Sequence, residues 1–222
     1  MNLELIDVSK RIKGNSILSE VNLRLSSGKI YGFVGANGSG KTMLFRAISG
    51  LMQITAGEII YNGKVLHKDM KVIPNMGILI ENAGLYPELT GLENLQLLAK
   101  LNNKIGINEI KEAIKKVGLD PEDKRTFRKY SLGMKQRLIF AQAIMEQPDV
   151  LLLDEPTNAL DEDAVTMIRQ IIQEEKSRGA LILIASHNKE DIDILSDEIY
   201  SVKAGKVKKM EHSCNSEIMP TE

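Results

Sequence analysis

A glycine-rich octapeptide, "GANGSGKT" at residues 35–42, constrains the fold of this chain more than any other feature. It fits the pattern G-x-x-x-x-G-K-[ST], follows the apolar run "IYGFV" and precedes the helical pattern "KTMLFRAI". Glycines lack a Cβ atom, so the backbone can curl and point successive N–H groups at a phosphate, which the positive N-terminus of the next helix also attracts. The sequence therefore predicts a strand, a phosphate-binding loop and a helix in direct succession.

The residues of this loop are expected to hold a nucleotide in two ways. Lys41 should reach the β- and γ-phosphates, and the Thr42 hydroxyl should coordinate Mg²⁺. The other positions should surround the phosphates mainly with backbone N–H groups; they are Gly35, Ala36, Asn37, Gly38, Ser39 and Gly40.

A second segment, "VLLLDEPT", places two acids after a buried apolar run. Asp154 and Glu155 would lie at the C-terminal edge of a parallel sheet, where ligands of α/β proteins gather. We expect Asp154 to orient the water shell of the metal and Glu155 to act as the general base for the attacking water. Adjacent acids also occur at ordinary helix N-termini, so the phosphate loop is what favours the catalytic interpretation.

The order of the apolar runs predicts the fold class. Strand-like runs alternate with helical ones, as in a parallel sheet flanked by helices. Between about residues 85 and 147 only helical patterns occur, and before the loop "LELIDVS" and "VNLRLSS" alternate as exposed strands do. We predict an α/β P-loop NTPase core with a mainly parallel sheet, a small N-terminal antiparallel layer and an inserted helical lobe. This domain should span residues 1–210, and the polar tail 211–222 should be disordered.

Composition argues against several classes of protein. Lys plus Arg number 29 and Asp plus Glu 30, so no basic field favours nucleic acid. The N-terminus lacks the apolar core of a signal peptide, and no apolar run approaches the ~20 residues of a membrane span. The single cysteine, Cys214, excludes an internal disulfide and, with His212, provides at most half a metal site.

The stretch "IASHNKED" permits a GTPase interpretation, because Asn188, Lys189 and Asp191 spell the guanine-binding pattern Asn-Lys-x-Asp. A GTPase also needs Asp-x-x-Gly, and no Asp of this chain has Gly three residues later. We therefore predict that Asn188 caps a helix whose first turn carries acids.

The chain resembles the ATP-binding subunits of ABC transporters over almost its whole length. The motifs in family order are "GANGSGKT", an acid before "LYPELTGLENL", "YSLGMKQR", "LLLDEPTNALD" and "IASH". The resemblance implies ATP and Mg²⁺ as ligands and His187 as a contact of the γ-phosphate. It also implies that Ser131 and Gly133 bind the ATP of a second ATPase subunit, identical or a paralogue, in a head-to-tail sandwich. Asp161 would meet that partner.

Three departures from the family pattern narrow the resemblance. The signature element contains Leu132 and Met134, and Ile12 stands where an aromatic side chain usually stacks on adenine. Glu81 replaces the usual Gln as a metal contact, although an acid at this place can also be a solvated strand end. The sequence around Glu81 resembles that of the family branch that exports, or protects against, bacitracin and lantibiotic-type peptides.

The resemblance implies a cytoplasmic ATP-hydrolysing subunit that lies on the inner face of the cell membrane, docked on a separate permease. The alternative is a soluble ABC-type ATPase that acts on ribosomes or DNA. Such proteins usually carry two cassettes or long coiled coils, whereas this chain has one cassette and no sustained heptads.

Overall fold

The computed structural model describes residues 1–80 and 84–210. The strands are Asn2–Ile12 (β1), Asn15–Ser26 (β2), Ile30–Val34 (β3), Ala56–Tyr61 (β4), Lys64–Val65 (β5), Met76–Leu79 (β6), Val150–Asp154 (β7), Leu181–Ser186 (β8), Glu198–Lys203 (β9) and Lys206–Lys209 (β10). The helices are Lys41–Ile48 (α1), Gly91–Asn102 (α2), Ile107–Lys116 (α3), Leu132–Ile144 (α4), Glu162–Ser177 (α5) and Lys189–Leu195 (α6), with a 3₁₀ turn at Phe127–Lys129.

The central sheet has the strand order β10-β9-β3-β8-β7-β6, and every pairing except β10 with β9 is parallel. The inner strands β3, β8 and β7 are covered on both faces, which explains their uninterrupted apolar runs. In β7, for example, Leu151 and Leu153 pack into one core while Val150 and Leu152 pack into the other. The predicted parallel sheet flanked by helices is confirmed.

A second sheet, with the order β2-β1-β4-β5, is entirely antiparallel. Its apolar face joins α1 and one face of the central sheet in a shared core. This is the predicted N-terminal antiparallel layer, so the predicted fold class is confirmed.

The residues described between β6 and β7 include α2, α3 and α4 but no strand. Helix α4 lies tightly on β6, because a Cβ atom on Gly77 would stand 2.0 Å from the carbonyl oxygen of Ala143. The division into a core and an inserted lobe at 85–147 stays a prediction, and the tail with His212 and Cys214 lies outside the described residues.

None of the helices within 1–80 and 84–210 combines the length and the apolar character needed to cross a membrane.

Candidate functional site

The glycine-rich loop runs from β3 into α1 as predicted, and its glycines are required by geometry. Gly38 and Gly40 have φ angles of 76° and 114°, which other residues rarely adopt. At Gly35 a Cβ atom would stand 2.3 Å from the carbonyl oxygen of Val202 on β9. The loop is therefore fixed between its own helix and the neighbouring strand.

Two predicted polar side chains lie against this loop. The Lys41 ammonium donates to the carbonyl oxygens of Gly35, at 2.7 Å, and Ala36, at 3.3 Å, and the residue is 6% exposed. The Thr42 hydroxyl donates to Asp154 Oδ2 at 2.5 Å. Hydroxyl and carboxylate oxygens are the donors that Mg²⁺ prefers, so this pair fits the predicted metal.

The Glu155 carboxylate and His187 meet at the C-terminal ends of β7 and β8. Oε1 of Glu155 accepts a hydrogen bond from the His187 N–H at 2.9 Å, and Oε2 lies 2.8 Å from His187 Nδ1. The Ser186 hydroxyl donates to the same Oε2 at 3.1 Å. Three contacts thus orient the carboxylate that the sequence predicts as the general base.

These elements surround one cavity of about 620 Å³. The predicted site residues that line it are Asn37, Gly38, Ser39, Gly40, Lys41, Thr42, Asp154, Glu155 and His187. In the described part of the chain, the buried Ser39 hydroxyl has no hydrogen-bond partner. A phosphate oxygen is a suitable acceptor for it, so both the space and the donors fit a nucleotide.

Five of the predicted residues that the structure describes do not line this cavity. Gly35 and Ala36 begin the phosphate loop beside it, and their carbonyl oxygens accept from the Lys41 ammonium. The other three lie at helix N-termini. Ser131 caps α4 by accepting from the Met134 N–H at 3.2 Å, and Asp161 caps α5 by accepting from the Ala164 N–H at 2.9 Å. Gly133 lies in the first turn of α4, where an added Cβ would be 3.1 Å from the Ala159 carbonyl oxygen. Within one chain, these residues are not brought to the cavity.

Sequence reasoning missed Gln136, which also lines the cavity. Its side-chain amide donates to the carbonyl oxygens of Glu155 at 3.0 Å and of Pro156 at 3.3 Å. Helix α4 is therefore hydrogen-bonded directly to the backbone that carries the predicted base. The only signal was its place in "YSLGMKQR", five residues after Ser131.

The structure also bears on the adenine position, where the sequence has Ile12 instead of the usual aromatic side chain. Ile12, at the end of β1, is 40% exposed and is not among the residues that line the cavity. Ser16 and Ile17 at the start of β2 line it instead, together with Ala204 and Gly205 of the β9–β10 turn. In the β1–β2 hairpin, Ile12 pairs with Asn15 beside the turn.

The predicted helix cap at Asn188 is confirmed, since its side chain accepts from the Glu190 N–H at 3.0 Å. Asp191, by contrast, is not simply an acid in the first turn, because it is fully buried. Glu81 lies outside the described residues, so its metal role stays a prediction.

A family model described as ABC transporter matches residues 18–158, which is more than half of the chain. The chain belongs to the ABC transporter family. The predicted family resemblance is confirmed, and membership of this family makes the chain an ATP-binding ATPase.

Relatives agree with this assignment over most of the chain. The ABC transporter ATP-binding protein YybJ of Bacillus subtilis is 44% identical over 209 residues, 94% of this chain and 96% of the relative. The lantibiotic transport ATP-binding protein SrtF of Streptococcus pyogenes is 36% identical over 208 residues, 92% of this chain and 88% of the relative. The bacitracin transport ATP-binding protein BcrA of Bacillus licheniformis is 38% identical over 206 residues, 90% of this chain and 66% of the relative.

Solved structures share the fold of this ABC protein. An ATP binding subunit of an ABC transporter matches with a TM-score of 0.80 at 26% identity, covering 96% of this chain and 90% of that one. A bacterial ABC transporter cassette in a dimeric structure matches with a TM-score of 0.84 at 23% identity, covering 94% of this chain and 99% of that one.

Proposed function

We propose that this chain is the ATP-hydrolysing subunit of an ABC transporter that exports, or confers immunity to, an antimicrobial peptide or a similar compound. The observation that carries the proposal is the cavity in which the phosphate loop meets Asp154, Glu155 and His187. ATP binding and hydrolysis there would drive a conformational cycle in a separate membrane permease, with this chain on the cytoplasmic face.

In this proposal each site residue has its own role in hydrolysis. Lys41 and the loop N–H groups bind the β- and γ-phosphates. Thr42 and Asp154 would hold Mg²⁺, which would neutralise charge on the phosphates. Glu155 takes a proton from the attacking water, and His187 steadies the γ-phosphate. The contacts of Glu155 with Ser186 and His187 support this assignment, because they aim the carboxylate into the cavity.

We further propose that two ATPase subunits, identical or paralogous, close head to tail around ATP. Ser131 and Gly133 stand at the N-terminus of α4, a helix of 13 residues whose positive end suits a phosphate. They do not line the cavity of their own chain, and Leu132 between them is 69% exposed. A partner's ATP is the ligand that this exposed helix end fits, and Asp161 would contact the same partner.

The cargo is proposed from the relatives whose names state lantibiotic or bacitracin transport. The test is to express the chain with its candidate permease in a peptide-sensitive strain and to measure the inhibitory concentration of bacitracin and of a lantibiotic. We expect resistance with the parent chain and none with Glu155→Gln. Glu174→Gln is the matched control, because this exposed carboxylate lies at the far end of α5.

Purification from detergent-solubilised membranes completes the test. Recovery of the permease with the tagged chain, together with resistance, supports the proposal. Equal sensitivity of strains carrying the parent chain and Glu155→Gln contradicts the proposed cargo. Sedimentation with ribosomes or DNA, without any membrane protein, favours the soluble ABC-type ATPase instead.

A further inference from the structure

The aspartate of the Asn-Lys-x-Asp sequence forms a buried ionic contact close to the candidate active site. Asp191 on α6 is 0% exposed. Its Oδ1 accepts hydrogen bonds from Arg169 Nε at 2.8 Å and Nη2 at 2.6 Å. Its Oδ2 accepts a hydrogen bond from the Thr157 hydroxyl. One carboxylate therefore joins α5, α6 and the segment that follows β7.

This contact ties together two chain segments that already meet at the proposed general base. At one end Glu155 contacts His187. Two residues further along the first segment, the Thr157 hydroxyl contacts Asp191, which lies four residues after His187 in the second segment. The segments 155–157 and 187–191 are thus joined at two points. Movement at the Asp191 end would be transmitted over two residues to the Glu155 carboxylate.

The backbone at Glu155 needs such support. Its φ angle is 52°, a left-handed conformation that costs a residue with a Cβ atom about 1–2 kcal/mol. Strained residues of this kind persist only where the surrounding structure fixes them. The Glu155 N–H donates to the Ala185 carbonyl oxygen at 2.8 Å, and its carbonyl oxygen accepts from the Gln136 amide at 3.0 Å. The Thr157–Asp191 contact fixes the chain two residues further on.

We infer that Asp191, through Thr157 and Arg169, is a positioning residue that holds the Glu155 backbone in the geometry required for hydrolysis. The inference rests on the proposed role of Glu155 as the general base. Asp191 is not among the residues that line the cavity, so it should affect the rate of hydrolysis and not the binding of ATP.

The chain contains a matched ion pair that separates this role from ordinary stabilisation. At the far end of α5, Arg178 donates to Glu175 Oε2 from Nε at 2.9 Å and from Nη2 at 2.8 Å. The Glu175 side chain is 6% exposed and that of Asp191 is 0% exposed. Glu175→Gln and Asp191→Asn thus remove similar charges from similar pairs, but only Asp191 connects to Glu155.

The experiment measures kcat, KM for ATP and the unfolding midpoint in urea for both variants. For Asp191→Asn we expect kcat to fall roughly ten- to a hundredfold, as small misplacements of reacting groups do, with KM within about twofold of the parent. Glu175→Gln should lower the unfolding midpoint similarly and leave kcat unchanged. Thr157→Val, which lacks the hydroxyl, should reproduce the loss in kcat, whereas Thr157→Ser should retain the parent rate.

Each remaining outcome overturns the inference or the proposed function. A kcat of Asp191→Asn and of Thr157→Val within twofold of the parent overturns the inference, as does an equal loss in Glu175→Gln. If Asp191→Asn does not fold, the two Thr157 variants decide. Glu155→Gln, assayed in parallel, tests the proposed function separately: if it turns over ATP normally, the assignment of the base fails whatever the Asp191 variant does.

Discussion

Replacement of Glu155 by Gln should stop ATP turnover while leaving the site assembled. In the parent, Oε1 accepts from the His187 N–H at 2.9 Å, and Oε2 accepts from the Ser186 hydroxyl at 3.1 Å. Glutamine keeps an oxygen for the N–H, and its amide nitrogen can donate to the Ser186 oxygen or to an unprotonated Nδ1 of His187. The shape survives, but the group that accepts a proton from water is lost.

The magnitudes separate the loss of rate from any loss of stability. A hydrogen bond to a charged group contributes about 1.5–3 kcal/mol and a neutral one about 0.5–1.5, and relief of repulsion from the adjacent Asp154 offsets part of the difference. We therefore expect the free energy of unfolding to change by less than about 2 kcal/mol. Loss of a general base lowers the rate by about 10²–10⁴, which is roughly 3–5 kcal/mol of barrier.

A protein whose free energy of unfolding is about 5–15 kcal/mol remains about 99% folded after losing about 2 kcal/mol. Unfolding therefore cannot account for the expected loss of rate. The assay is release of phosphate in a single turnover at saturating Mg-ATP, with ATP affinity and urea unfolding measured on the same preparations. Size exclusion should also show accumulation of an ATP-bound dimer. Turnover by Glu155→Gln within tenfold of the parent, at unchanged stability, would refute the assignment; Glu174→Gln is the control.

Three further predictions concern ligands and pH. Lys41→Ala should weaken ATP binding roughly ten- to a hundredfold, because it removes a charge-assisted hydrogen bond to the phosphates. A binding titration that gives an ATP affinity within twofold of the parent contradicts this prediction. Glu81→Gln should raise the free Mg²⁺ concentration needed for half-maximal hydrolysis more than it changes ATP affinity, since a carboxylate binds a hard cation better than an amide oxygen does. Superimposable curves of hydrolysis rate against free Mg²⁺ would place Glu81 outside the metal site. The Lys209 and Lys29 ammonium groups lower the pKa of Glu198 from 4.5 to about 2, against the opposing effect of its burial. The ionised Glu198 therefore stabilises the fold fully above about pH 4.5, and this stabilisation is lost as the pH falls towards 2. Urea unfolding should therefore show that the free energy of unfolding of the parent exceeds that of Glu198→Gln by about 1 kcal/mol less at pH 4 than at pH 7. A difference that does not change with pH would contradict this prediction.

Local patterns in the sequence were sufficient for the fold class and for the phosphate loop. Uninterrupted apolar runs predicted buried parallel strands because both faces of such strands are covered, and β7 and β8 are buried along their whole length. Positive φ angles at Gly38 and Gly40 follow from residue type alone. The contact between Thr42 and Asp154 joins residues 112 positions apart, but it could be predicted because each end lies in its own motif.

Other contacts were decided only by the tertiary structure. The Thr157–Asp191 contact spans 34 residues, and no local pattern distinguishes this buried aspartate from the exposed acid beside it. The hydrogen bond of Gln136 to the Glu155 backbone depends on how α4 packs against the sheet, where it contacts β6. The presence of Ser16 and Ile17 in the cavity lining depends on the register of the β1–β2 hairpin. The physical reason is that sequence periodicity reports the backbone conformation and burial of single segments, whereas partners between segments are set by strand order, register and helix packing, which arise only when the segments assemble.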